Sequence, residues 1–74
     1  MDKIEILKSA QWQVKKAKEC EQAEEWGFAW YHWDEVWKRL RYILPPKHVL
    51  LQKAEERSDR AFAYSRQRKK NAKG

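Results

Sequence analysis

Trp26, Trp30, Trp33, Trp37, Leu40 and Leu44 stand at steps of four, three, four, three and four along the chain. That spacing is one stripe of a helix with 3.6 residues per turn, and every position on it is bulky and apolar. In a strand the same residues would scatter over both faces, because side chains there alternate with a period of two. Four of the five tryptophans lie on the stripe. At about 200 Å² each they amount to roughly 800 Å² of surface. A chain of 74 residues makes one domain with a marginal core, so it must fold around such a surface or offer it to a partner. About 800 Å² is also one partner's share of a standard protein interface. Area alone therefore leaves core, docking face and homodimer seam open.

The stripe belongs to the second of three expected helices. The first should run over residues 3–25, with Asp2 as N-cap and Glu5 as the capping-box acid three residues on. Ile4, Leu7, Ala10, Val14 and Ala17 form its apolar face. In one unbroken helix that face and the tryptophan stripe would be rotated apart by roughly 120°, at about 100° per residue. A turn near Gly27 brings both onto one core; a bent long helix with two separate faces is the alternative. The second helix is expected over 28–44, where Pro45 and Pro46 stop it, since proline cannot continue the ladder and disfavours the helical conformation before it. Asp34–Lys38 and Glu35–Arg39 are i,i+4 ion pairs in the favourable orientation. The third helix is expected over 47–66, with Leu50, Leu51, Ala54, Ala61 and Phe62 on its buried side and Ser58 among them. The expected fold is all-α: a small three-helix bundle in a single domain, 1–66, with large tryptophans facing small alanines. A basic, disordered tail is expected over 67–74.

The charge is segregated. Residues 1–44 carry eight Lys/Arg and eight Asp/Glu, and residues 45–59 carry three of each. The last fifteen residues carry six bases and no acid, so they hold the whole net charge of +6. A neutral body with a basic end suggests an arm for phosphates or for an acidic surface. One cysteine, Cys20, excludes an intramolecular disulfide, and no apolar run reaches the 18 or more residues of a membrane span. MDKIEILK lacks the apolar core of a signal peptide, so a cytoplasmic location is expected.

Three groups of residues are candidates for binding. Trp12 points away from the Ile4/Leu7/Val14 face, among glutamines and lysines, and reads either as a seam-covering ring or as an exposed anchor. Tyr31 and His32 flank the stripe and extend it towards the surface; Lys38, Arg39 and Arg41 crowd the end of the second helix, where cations complement the helix dipole. These six are the expected partner-binding residues. Arg60, Phe62, Tyr64, Arg66, Arg68, Lys69 and Lys70 are the expected nucleic-acid-binding residues. In an extended chain Arg60, Phe62, Tyr64, Arg66, Arg68 and Lys70 would lie on one side, cations for phosphates and rings for unpaired bases.

Catalytic and metal-binding patterns are missing. Cys20, His32 and His48 have no metal-ligand spacing. The serines have no nucleophile elbow, and there is no glycine-rich phosphate loop. No enzyme activity, no cofactor and no metal are expected. A short, basic, aromatic-rich helical chain is the kind that phages and mobile elements encode to redirect a host machine. The expected function is a small non-enzymatic regulator. Its aromatic body docks on a protein of the transcription or nucleic-acid machinery, and its basic arm reaches RNA or DNA. A stand-alone nucleic-acid-binding protein and a helical homo-oligomer are the alternatives.

Overall fold

The computed structural model describes the backbone of residues 2–73 and the side chains of residues 2–67. It is all-helical: α1 (Lys3–Gln22), α2 (Trp26–Leu40) and α3 (Val49–Lys73). Asp2 caps α1, its carboxylate accepting from the Ile4 amide at 3.4 Å. His48 does the same for α3, its Nδ1 accepting from the Leu50 amide at 3.1 Å. The third helix thus starts two residues later than Pro46 suggests. The expected disordered tail, 67–74, falls almost wholly on side chains outside the described residues.

A turn separates α1 from α2, so the bent long helix is not what forms. The turn lies at Ala23–Glu25 rather than at Gly27. The Glu25 amide donates to the Cys20 carbonyl at 2.8 Å and the Glu24 amide to the Glu21 carbonyl at 3.0 Å. These are the two bonds of a Schellman C-cap. Its left-handed position, which usually takes glycine, is filled by Glu24 at φ 59°. Gly27 lies instead in the first turn of α2, where a Cβ would come 3.6 Å from the Ser65 Oγ of α3. That is an ordinary van der Waals distance, so the position has room for a side chain, and Gly27 does not reverse the chain.

The second helix is the centre of the molecule. Both α1 and α3 pack along it and make few contacts with each other. Its buried line is Ala29, Trp33, Val36 and Leu40, again at steps of four, three and four. This line is turned from the tryptophan stripe, so the stripe is divided. Trp33 is 5% exposed, Trp26, Trp37 and Leu44 are half-buried, and Trp30 is 42% exposed. Ala10 and Ala17 from α1, and Leu51, Ala54 and Ala61 from α3, complete the core. The alanines let three helices approach closely around one large ring.

One node joins all three helices. The Trp33 Nε1–H donates to Glu21 Oε2 on α1 at 2.9 Å. Arg57 of α3 places its Cζ 5.0 Å from the Trp33 ring centroid and its Nη1 3.7 Å from the other Glu21 oxygen. The ring fills the core while its N–H, which would be costly to bury unpaired, finds a carboxylate.

Two expected faces are corrected. Ile4 and Leu7 are exposed and Val14 half-buried, and Gln13 takes a buried place on α1. On α3, Leu50 and Phe62 are exposed, whereas Leu51, Ala54, Ser58 and Ala61 are buried as expected. In both helices the apolar arc is wider than the single line that α2 covers.

The cap geometry at Glu24 has a measurable consequence. A β-branched residue at positive φ is strained, whereas glycine is not. The Glu24→Val variant should be less stable than Glu24→Gly by roughly 1–3 kcal/mol, read from urea midpoints at equal slope.

Candidate docking surface

The turn at Ala23–Glu25 folds α1 back along α2 and so brings Trp12 against His32. Their ring centroids lie 6.2 Å apart at 82°, edge to face. Tyr31 packs on the same imidazole, 5.3 Å away at 69°. Gln13, buried beneath, holds the ring with its Oε1 2.6 Å from His32 Nδ1. As a carbonyl oxygen only accepts, the Nδ1 is the donor. Lys16 stands over the outer part of Trp12, its Nζ 5.5 Å from the ring centroid. Around this fixed imidazole, Trp12 is 53% exposed and Tyr31 54%.

Phe28, one turn before Tyr31 and His32 on α2, is 63% exposed. With Glu25, Gly27, Tyr31 and His32 it lines a shallow, mainly apolar hollow. Sequence reasoning centred on the stripe missed it. Its signal was present: a large ring at helical spacing from Tyr31 and His32, and off the stripe. Trp12, Phe28, Tyr31 and His32 thus form one aromatic face over the α1–α2 seam.

The three cations expected beside them are placed differently. Lys38 lies two turns along the same outward line of α2 as Tyr31, roughly 10 Å on. Its Nζ is 3.1 Å from Asp34 Oδ2, and the Asp34 carboxylate raises the pKa of this exposed amine. Arg41 is exposed, with its Cζ 4.8 Å from the centroid of the Trp37 ring. Arg39 is occupied within the chain. Its Nε donates to Ser9 Oγ at 2.7 Å, and its Nη1 donates to Glu35 Oε2 at 2.6 Å. It sews α1 to α2. The hydrogen bond from Arg39 is the main reason that the Glu35 carboxyl titrates below its usual range; the Arg39 charge and a hydrogen bond from Tyr31 act in the same direction.

On the opposite seam the row from Arg60 onwards is helical, not extended. Successive even positions then turn by about 200°, so the single-sided row splits. Phe62 packs against Trp30 with centroids 5.1 Å apart, and carries Arg66, whose Cζ is 5.7 Å from the Phe62 centroid. Tyr64 packs against Trp26 at 4.7 Å and shares its flank with Arg60. The rings expected to stack on bases therefore close the α2–α3 seam, while remaining partly exposed. The side chains of Arg68, Lys69 and Lys70 lie outside the described residues.

Burial, and then the Glu25 and Glu19 carboxylates, push the Cys20 thiol above its usual pKa, which keeps it protonated and a poor nucleophile. Among the described residues no group of three or more His, Cys, Asp or Glu side chains is placed to hold a metal ion, and no helix is long and apolar enough to cross a membrane. No family model, curated protein or solved structure matches the chain.

The Glu35–Arg39 pair carries a pH signature. A carboxylate whose pKa is lowered on folding stabilises the fold above its unfolded value, and the effect is lost as pH falls through the lowered value. For Glu35 the starting point is its ordinary value of 4.5. Wild type should lose stability on acidification below that point, and Glu35→Gln should flatten this part of the profile in urea titrations run across the acidic range.

Proposed function

We propose that the chain is a small non-enzymatic binding protein of the nucleic-acid machinery, acting as a regulator. The face formed by Trp12, Phe28, Tyr31 and His32 docks on a protein partner, transcription proteins being the first class to test. The basic end of α3 lies towards RNA or DNA. One observation carries this reading: three large rings, each more than half exposed, are grouped on a fold whose core already holds Trp33. Isolated exposed apolar residues are ordinary, whereas grouped ones mark interaction sites. Tryptophan and tyrosine are also the residues that dominate interface energetics. His32, fixed by Gln13, limits the motion of the rings around it and so lowers the entropy lost on docking.

The segregated charge supports the second half of the reading. Arg60 and Arg66 are exposed on α3, and Arg68, Lys69, Lys70 and Lys73 follow in the sequence. Cations contacting phosphates release counterions, so binding through them weakens with salt. Pairing of Arg66 with Phe62 also favours a second reading, a stand-alone nucleic-acid-binding protein, because a ring bearing a guanidinium suits single-stranded bases.

Capture from a cell lysate with nuclease present separates the two. Wild type should retain a defined protein after nuclease, and Trp12→Ser/Phe28→Ser/Tyr31→Ser should lose it by about tenfold or more while keeping its helical circular dichroism. Reversing Arg66, Arg68, Lys69 and Lys70 to Glu should spare that capture and abolish salt-sensitive binding of a bare oligonucleotide. Equal retention by the triple-serine variant would refute docking through this face. Loss of every protein on nuclease treatment would leave the stand-alone reading.

A further inference from the structure

On the far side of α2 from the aromatic face, α1 and α3 stand apart and leave a groove of about 500 Å³. Trp33, Val36 and Leu40 form its floor, and Val14 and Leu50 its apolar walls. Leu50 is 46% exposed. Leu7 lies two turns before Val14 on the same line of α1, with Ile4 beside it, and both are exposed. These are residues whose helical spacing marks them for burial, yet among the described residues none covers Ile4, Leu7 or Leu50, and Val14 is only half-buried.

The rim has a definite sign. Lys18 borders the groove on the α1 side, and Lys53, Arg57 and Arg60 follow one flank of α3. Glu56 is the one acid among the lining residues. Arg57 is committed to Glu21 and Trp33. Lys18, Lys53 and Arg60 are exposed and have no ion-pair partner among the described residues.

We infer that this groove is a second docking site, distinct from the aromatic face, and that it takes an acidic amphipathic helix of a partner protein. An apolar trough with unpartnered cations along its rim matches a helix whose apolar stripe lies between acidic flanks. The line from Leu7 to Lys18 spans about 16 Å, so three turns of partner helix fill it. Such a helix becomes the fourth member of the bundle and covers Leu7, Val14 and Leu50. A second copy of the chain is a poor occupant, because a two-fold contact through the groove sets cationic rim against cationic rim. Single-stranded nucleic acid would meet the charge but leave the aliphatic walls without a matching surface.

The test uses the full chain and a fluorescein-labelled peptide of roughly 14 residues, with leucine at i, i+3, i+4 and i+7 and glutamate elsewhere. The expected result is saturable binding by anisotropy, with NMR shift changes at Val14, Lys18, Leu50 and Lys53 and none at Trp12 or Tyr31. Leu50→Asp and the triple variant Lys18→Glu/Lys53→Glu/Arg60→Glu should each weaken it by about tenfold or more. All four positions are exposed, and circular dichroism checks that the variants keep their fold. A peptide of the same composition with scrambled leucines should bind about tenfold more weakly. The proposal is overturned if scrambled and ordered peptides bind alike, if shifts map to the aromatic face, or if an oligonucleotide displaces the peptide from these residues. Concentration-dependent dimerisation that Leu50→Asp abolishes overturns it as well. Because the readout is confined to the groove, its failure leaves the aromatic face untouched.

Discussion

A tryptophan at the centre of a small chain poses a problem with few solutions: its ring must leave water while its N–H must not be left without an acceptor. Glu21, Trp33 and Arg57 solve it with one group from each helix. The carboxylate accepts from the indole, and the guanidinium lies near both the ring and the carboxylate. A hydrogen bond to a charged acceptor contributes about 1.5–3 kcal/mol, and a partly shielded cation–π contact about 0.5–2 kcal/mol. Those magnitudes matter in a domain of this size, whose total stability is small. The node also fixes register: Glu21 lies just before the turn, and Arg57 in the third turn of α3. With Trp33 set between them, both outer helices are locked along α2.

The surface layout follows from that arrangement. A central helix flanked by two others buries one arc and leaves the rest to its seams. The α1 seam gathers Trp12, His32 and Tyr31; the α3 seam gathers Trp26 with Tyr64 and Trp30 with Phe62. Aromatic area in excess of what the core can hold is therefore displayed, not wasted on a larger interior. On the core side the separation of α1 and α3 leaves the cationic groove. The two faces differ in chemistry, rings on one and aliphatic walls with lysine and arginine on the other. On the proposed reading, the two faces suit two unlike surfaces.

Much of the fold is legible in the residues. The helical spacing, the Asp2 cap and the Asp34–Lys38 and Glu35–Arg39 pairs all have local causes, and they form as expected, whereas α2 closes at Leu40 and not at the Pro45–Pro46 stop expected to end it at residue 44. The turn was misplaced because glycine, the usual signal, stands at 27, whereas Glu24 takes the left-handed position. Which column of α2 faces inward was not legible either. Ala29 and Val36 are less conspicuous than tryptophan, yet only small or compact side chains there let α1 and α3 approach. The even-numbered row from Arg60 shares one side only in an extended chain, and helix continuity past Ala61 dissolves it into two flanks. Of the candidate site, Trp12, Tyr31 and His32 were foreseen and do come together. Phe28 was hidden beside the larger tryptophan signal, and the internal role of Arg39 depends on Ser9, thirty residues away.

The tryptophans divide: Trp33 builds the core, Trp26 and Trp37 are half-buried against it, and Trp12 and Trp30 face outward. Five indole N–H signals in a proton–nitrogen NMR spectrum, assigned by single Trp→Phe variants, report on this directly when a soluble paramagnetic agent is added. The Trp33 signal should resist broadening and exchange slowly, while those of Trp12 and Trp30 broaden at low agent concentration. Equal broadening of all five, or protection of Trp12 and Trp30 with exposure of Trp33, would contradict the account.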